Sequence, residues 1–77
     1  MASDNKVTIE LSREEALVLF EWLSRFNKAE ASFEDQAEQR VLWDIEGMLE
    51  STLVEPFDAK YDEMLAAARA KVRDPEE

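Results

Sequence analysis

The chain has 77 residues, with 19 acidic against 9 basic side chains for a net charge of −10, and it contains neither cysteine nor histidine. Those absences exclude disulfides, thiolate and imidazole metal ligands, and the usual pairs of nucleophile and base. A chain this short forms one domain that buries only about 60% of the surface its unfolded form exposes, so self-association is a natural source of extra stability. We expect no cofactor and no transition-metal site.

The segment at residues 6–11 alternates polar and apolar side chains and is rich in β-branched residues. This pattern predicts a short, half-buried strand with Val7, Ile9 and Leu11 facing the core. A single strand has unpaired backbone edges. The strand therefore either lies over the helices as an extended strap or pairs with the same strand of a second chain.

A first helix is predicted over residues 13–27. Ser12 and Glu15 have the spacing of a capping box, in which each side chain binds the other residue's backbone N–H. Leu17 and Val18 fall outside the main apolar face, so this helix is too apolar to have one side in water. The apolar face consists of residues at helical spacing, namely Ala16, Leu19, Leu23 and Phe26, flanked by Phe20 and Trp22.

Two further helices are predicted over residues 33–52 and 59–73, capped by Ser32 and Asp58. Pro56 keeps the apolar connection between them out of helix. The second helix has a core face made of Phe33, Ala37, Val41, Leu42, Ile45, Met48 and Leu49. The third helix has a narrower apolar stripe made of Tyr61, Met64, Leu65, Ala68 and Val72.

Together these elements predict a mainly α fold, in which a short N-terminal strand is followed by a three-helix bundle. We expect a single small helical domain over residues 1–77, with frayed ends at residues 1–5 and 74–77. The predicted core consists of Leu19, Leu23, Phe26, Val41, Ile45, Leu49, Met64 and Leu65.

Trp43 lies about 160° from Ile45 around the second helix, opposite the apolar face. Gly47 lies on the same outer side, and a helical glycine costs roughly 1 kcal/mol relative to alanine, so it favours close approach by another element. An aromatic anchor inside a polar rim is typical of a binding hot spot, for a second copy or a different partner. The alternative is a core tryptophan covered by the strand or the third helix. The predicted partner-binding residues are Trp43, Gly47, Glu50, Arg40, Glu46 and Asp44.

The acidic residues are unevenly placed along the chain. Between Glu30 and Glu63 there are eleven acids and two basic residues, which gives this stretch a net charge of −9. Such a stretch repels nucleic acid and anionic membranes and attracts basic protein surfaces. The simpler alternative is a solvated acidic face that keeps the protein soluble.

The first ten residues, MASDNKVTIE, lack the basic and then apolar pattern of a secretory signal. The longest unbroken apolar run extends from Ala16 to Phe20, which is far too short to cross a membrane. We therefore expect a cytoplasmic protein with no membrane partner.

Catalytic motifs are weak in this sequence. Carboxylate pairs one helical turn apart occur at Glu34 with Glu38 and at Glu46 with Glu50, and such pairs can act as acid and base or hold a hard cation. Gly47 is the single glycine, so there is no glycine-rich phosphate loop, and no activating partner accompanies the carboxylates. We expect that the protein is not an enzyme.

The order strand, helix, helix is similar to that of the ribbon-helix-helix repressors and antitoxins, whose paired strands enter the major groove of DNA. In that arrangement Lys6, Thr8 and Glu10 would face the bases. The motif residues do not match the family, because Glu10 is a poor neighbour for phosphate. The second helix also begins with Glu34 and Asp35 where the family has groups that contact phosphate.

These observations predict a non-enzymatic, small acidic protein-binding module of the antitoxin, immunity or inhibitor type that engages a basic partner, with a homodimer as a further expectation. One alternative is a dimeric strand-helix-helix DNA-binding antitoxin or regulator, which the net charge disfavours. Another is a DNA-mimic inhibitor whose dense carboxylates imitate a phosphate array.

Overall fold

A computed structural model describes residues 6–29 and 32–75 of the chain. It contains three α-helices, α1 (Arg13–Lys28), α2 (Gln36–Thr52) and α3 (Tyr61–Val72), and a short 3₁₀ turn at Glu55–Phe57. The prediction of a mainly α fold is confirmed. None of the described helices combines the length and the apolar character that a membrane-spanning segment needs.

The start of α1 is set by the capping box that the sequence predicts. The Ser12 hydroxyl accepts a hydrogen bond of 3.0 Å from the Glu15 backbone N–H. The Glu15 carboxylate in turn accepts one of 2.8 Å from the Ser12 backbone N–H. Because both contacts are local, they follow from four consecutive residues and need no tertiary packing.

Both later helices begin further along the chain than predicted. The cap of α2 is Asp35, not Ser32, and its carboxylate accepts a hydrogen bond of 2.8 Å from the Ala37 N–H. Glu38 reaches back to the Glu34 N–H at 3.0 Å, so a second acid satisfies a backbone donor just before the cap. These two acids at the proper spacing explain why the helix starts three residues late.

Asp58 closes a turn and does not cap α3. Its carboxylate accepts a hydrogen bond of 2.8 Å from the Lys60 N–H, and its carbonyl accepts one of 3.1 Å from the Tyr61 N–H. The N-cap position belongs to Lys60, which makes no side-chain capping bond. The preceding 3₁₀ turn at Glu55–Phe57, which contains Pro56, sets this geometry because proline cannot continue a helical hydrogen-bond ladder.

The helices are arranged with α1 in the centre, in contact with both α2 and α3. Leu17, predicted to lie outside the apolar face of α1, is only 4% exposed and belongs to the main buried cluster. Leu17 is buried because α3 packs on a second side of α1, in line with the expectation that this helix is too apolar to have one side in water. The cluster comprises Ala16, Leu17, Leu53, Leu65 and Ala68.

The predicted core is only partly buried. Among its eight residues Leu23 and Leu65 are buried, and Val41 is 54% exposed. The reason is that α2 turns its Leu42, Ile45 and Leu49 side inward, which leaves Val41 at the edge of that contact. The remaining members are half-buried, namely Leu19, Phe26, Ile45, Leu49 and Met64.

The N-terminal strand is not shown by the structure. Residues 6–12 carry no regular secondary structure, and the described residues contain no β-strand. Val7 is 89% exposed, and Ile9 and Leu11 are also exposed, so these side chains do not face the core of the described structure. An extended segment without a second strand leaves its backbone groups unpaired, and water satisfies them better than an apolar core does. The predicted frayed residues 1–5, 76 and 77 lie outside the described residues.

Polar contacts fasten the 3₁₀ turn and α3 to α1. The Arg13 guanidinium binds Glu55 through two contacts of 2.8 Å. These hydrogen bonds, together with the N–H of Glu55 itself, lower the pKa of the Glu55 carboxyl to about 2. Tyr61 donates to the Glu21 carboxylate at 2.9 Å, and burial together with this bond raises the pKa of Tyr61 to about 12. The exposed ion pair of Arg13 and Glu55 fixes the position of the 3₁₀ turn against α1 and adds little to the stability.

Candidate protein-binding site

Helix α2 leaves much of its apolar surface uncovered. It contributes no buried residue, although Leu53 just beyond its end is buried. Val41 and Met48 are exposed on one side of the helix, and Trp43 is 41% exposed. Because 100° separates successive residues, Trp43 lies about 160° from Val41 around the helix axis. The uncovered side chains therefore form two separate surfaces.

The first surface, here called the Trp43 patch, consists of Trp43, Arg40, Asp44, Gly47 and Glu50. The Arg40 guanidinium lies 5.4 Å from the centroid of the Trp43 ring. The same group forms a salt bridge of 2.8 Å with the Asp44 carboxylate. The ring and the carboxylate thus already hold a cation between them, which is the chemistry that recognition of a basic side chain requires.

Gly47 lies one turn beyond Trp43, and nothing in the described residues requires a glycine there. A Cβ placed on Gly47 would meet no heavy atom within 4 Å. No other element of the described chain therefore comes close to Gly47, and Trp43 itself is 41% exposed. The alternative that Trp43 is a core residue of the monomer is not what the structure has.

Glu46 is placed differently from the other predicted partner-binding residues. It is half-buried, and its carboxylate accepts a hydrogen bond of 2.6 Å from the Asn27 amide of α1. This contact joins α1 to α2 and directs the Glu46 carboxylate inward. Of the six predicted residues, Arg40 contacts both Trp43 and Asp44, and Gly47 and Glu50 are exposed beside them.

The second surface is a groove between α1 and α2, here called the aromatic trough. It has a volume of about 470 Å³. Trp22 stacks on Phe26 with ring centroids 4.7 Å apart, and Phe33 meets Phe26 edge-on at 5.8 Å. The walls are formed by Trp22, Phe26, Ser32, Phe33, Glu38, Val41 and Leu42.

Sequence reasoning missed the aromatic trough because it assigned Phe33 and Val41 to the core. One signal was present in the sequence: Trp22 and Phe26 are four residues apart, so their rings meet on one side of α1. Trp22 also lies about 140° around α1 from Leu17, the residue that faces α3. An aromatic pair on that side must be covered by α2 or remain open to a partner.

The segment that carries both surfaces is acidic. Residues 32–52 contain six acids and one arginine, a net charge of −5. Four of the acids accept hydrogen bonds within the protein, namely Asp35, Glu38, Asp44 and Glu46. The carboxylate of Glu50 is exposed and makes no such bond within the described residues. Both apolar surfaces are thus bordered by negative charge.

The carboxylate pairs considered for acid–base chemistry have structural contacts. In each pair one member is already a hydrogen-bond acceptor, since Glu38 accepts from the Glu34 backbone and Glu46 accepts from Asn27. Within residues 6–29 and 32–75, no group of three or more acidic side chains is close enough to hold a metal ion. The raised pKa of Tyr61 keeps its hydroxyl protonated as a donor to Glu21. Glu46 and Tyr61 therefore make contacts between helices, and Glu38 makes a local contact at the start of α2.

Comparison with known proteins leaves these two surfaces as the main guide to function. The Trp43 patch and the aromatic trough lie on opposite sides of one acidic helix, α2, and neither is covered by the described part of the chain. No protein-family model, no curated protein and no solved structure matches this chain.

Proposed function

We propose that this protein is a non-enzymatic cytoplasmic binding module that engages a basic protein partner through α2, in the manner of an antitoxin, an immunity protein or an inhibitor. One observation carries the proposal: α2 contributes no buried residue, yet it exposes the large apolar side chains of Val41, Trp43 and Met48. A partner that covers this helix removes those side chains from water, at about 25 cal/mol for each Å² of apolar area buried.

Charge supports a basic partner in particular. The acids around α2 raise the local concentration of a positively charged surface and speed its association. A second acidic surface, or nucleic acid, is repelled by the same field. The intramolecular contact of Arg40 with Trp43 and Asp44 supports the Trp43 patch as a place where a partner's arginine or lysine binds.

The proposal is tested by reversing charge on α2. In the double variant Asp44→Lys with Glu50→Lys, we expect recovery of the basic partner from a lysate of the source organism to fall by about tenfold or more. That factor corresponds to about 1.4 kcal/mol of binding free energy, a reasonable cost for replacing two attractions with two repulsions. Recovery is measured by quantitative mass spectrometry at several salt concentrations.

The matched control reverses two acids away from α2, Glu63→Lys with Asp74→Lys, and changes the net charge by the same amount. We expect this variant to keep the partner. If the two double variants recover the partner equally, whether recovery is high or low in both, α2 is not the binding helix. Circular dichroism of each variant verifies that the helices are intact.

A second candidate function is supported by the exposed N-terminal segment. Val7, Ile9 and Leu11 alternate along residues 6–11 and are all exposed. We propose that this segment becomes a strand only when it pairs with the same segment of a second chain, which satisfies both backbones. The resulting dimer is the arrangement that a strand-helix-helix DNA-binding regulator requires.

This second candidate predicts a dimer that depends on the N-terminal segment. Light scattering after size exclusion, over a tenfold range of concentration, should give twice the monomer mass of 8.9 kDa. The variant Ile9→Asp should return the monomer mass, because it places two charges in the paired ribbon, while Val54→Asp at an exposed site should not. A monomer mass throughout the range would contradict the candidate.

A further inference from the structure

The aromatic trough is a formed site and not a loose collection of exposed side chains. Phe26 is held between Trp22 and Phe33 by a stacked contact and an edge-on contact. Aromatic pairs of this geometry are worth about 0.5–1.5 kcal/mol beyond the area they bury. A partner that enters the trough therefore meets rings that are already ordered, and loses less free energy in fixing them.

The exposed apolar positions continue from the trough along α2. Ala37, Val41 and Met48 are all exposed, and their spacings of four and seven residues place them on one side of the helix. A second helix laid along α2 meets such a row with its own residues at spacings of three, four and seven. The described residues contain no β-strand, so they offer no sheet edge to which an extended peptide could add.

The charge beside the trough selects among helical occupants. Glu38 forms part of the wall. Asp44, which also borders the Trp43 patch, lies about 60° from Val41 and about 40° from Met48 around α2. Their carboxylates favour an occupant with lysine or arginine beside its apolar face. The α2 helix of a second copy would bring the same negative charge, and like charges facing each other destabilise an interface.

We infer that the aromatic trough is the seat of a basic amphipathic helix of the partner protein, whose apolar residues contact Trp22, Phe33 and Val41. This inference deepens the proposed function and rests on it. It assigns the apolar anchor of binding to the trough side of α2, about 160° from the Trp43 patch. A single straight helix cannot cover both surfaces.

The two tryptophans lie on opposite surfaces, so each can report on its own. The variant Trp43→Phe retains only the trough reporter, and Trp22→Phe retains only the reporter of the Trp43 patch. The probe is a synthetic helix of leucine and lysine, about 18 residues or five turns long, with leucine at helical spacing. We expect the probe to shift the emission of Trp22 to the blue and to leave that of Trp43 unchanged.

Two matched controls separate apolar seating from charge. A peptide of the same composition, with its leucines scrambled so that no apolar face forms, should not shift the emission of Trp22. The variant Val41→Gln should weaken binding of the probe by about tenfold, since it removes a side chain worth about 1.5 kcal/mol when buried. The exposed site Val54, changed to glutamine, should leave binding unchanged, and both variants should keep their helical circular dichroism.

Each other outcome overturns the inference in a distinguishable way. A response of Trp43 without one of Trp22 would place the seat on the Trp43 patch and leave the proposed function intact. Equal binding of the scrambled peptide would mean that charge alone holds the probe. A blue shift of Trp22 with rising protein concentration and doubled molar mass, without peptide, would assign the trough to a second copy. The proposed function itself fails if charge reversal on α2 lowers partner recovery no more than the control reversal of Glu63 and Asp74 does.

Discussion

Replacement of Leu17 by alanine is expected to destabilise the protein by about 2–5 kcal/mol, the usual cost of truncating a buried leucine. Leu17 is 4% exposed and lies in the buried cluster that joins α1 to α3 and to the end of α2. Small domains have a total stability of only about 5–15 kcal/mol, so this loss removes a large share of it. The free energy of unfolding, measured by urea titration, checks the prediction.

The control for Leu17→Ala is Val54→Ala, because Val54 is 70% exposed and truncation there creates no cavity. We expect this variant to change the stability by less than about 0.5 kcal/mol. A small loss for Leu17→Ala, comparable with that of the control, would mean that Leu17 does not pack against α3 in solution.

The parts of the fold that were predicted correctly depend on neighbouring residues. The capping box of Ser12 and Glu15 and the position of α1 follow from hydrogen bonds that form within one helical turn. The existence of α2 and α3 follows in the same way from apolar periodicity. Their starting residues were less predictable. Ser32 and Asp35 are both good capping residues, and the capping hydrogen bond forms at Asp35, with Glu38 reaching back to the Glu34 N–H beside it.

The parts that were not predicted depend on which helices meet. Leu17 is buried because α3 approaches α1 from a second side, and Leu53 is buried because the end of α2 reaches the same cluster. Val41 is exposed because α2 presents a neighbouring side of its apolar face to α1. Periodicity identifies apolar side chains but cannot state which of them a neighbour covers.

The candidate site shows the same division between local and tertiary information. The outward position of Trp43 follows from angular arithmetic along one helix, and its contact with Arg40 joins residues three positions apart. The inward position of Glu46 depends on Asn27 of α1, nineteen residues away. The aromatic trough needs Trp22 and Phe26 from α1 and Val41 from α2, so only the packed structure defines it.

The uncovered surface of α2 and the small core of the molecule are related, because apolar side chains that α2 leaves in water do not add to the core. The described residues include six buried hydrophobic side chains, two of which are alanines. Because the apolar face of α2 stays in water in the monomer, it contributes little to the free energy of folding. Burial of that face can instead stabilise a complex. Binding of a partner to the folded state is therefore expected to raise the apparent stability of the domain by mass action.

Replacement of Leu23 by alanine is the second large effect that we expect. Leu23 is 1% exposed, and it lies about 40° around α1 from Asn27, which binds Glu46 of α2. It therefore belongs to the side of α1 that faces α2, whereas Leu17 faces α3. Its truncation should cost about 2–5 kcal/mol, as at Leu17, although the two leucines serve different helix contacts.

The comparison of Leu17→Ala with Leu23→Ala tests whether the chain is the single domain that its length predicts. Tryptophan fluorescence reports on α1 and α2, which carry Trp22 and Trp43, and circular dichroism reports on all three helices. In one cooperative domain, the shift in urea midpoint that a given variant causes is the same by fluorescence as by circular dichroism. If Leu17→Ala shifted the circular dichroism midpoint and left the fluorescence midpoint in place, α3 would unfold apart from α1 and α2. The aromatic trough would then persist without α3, because all of its walls come from α1, α2 and the residues just before α2.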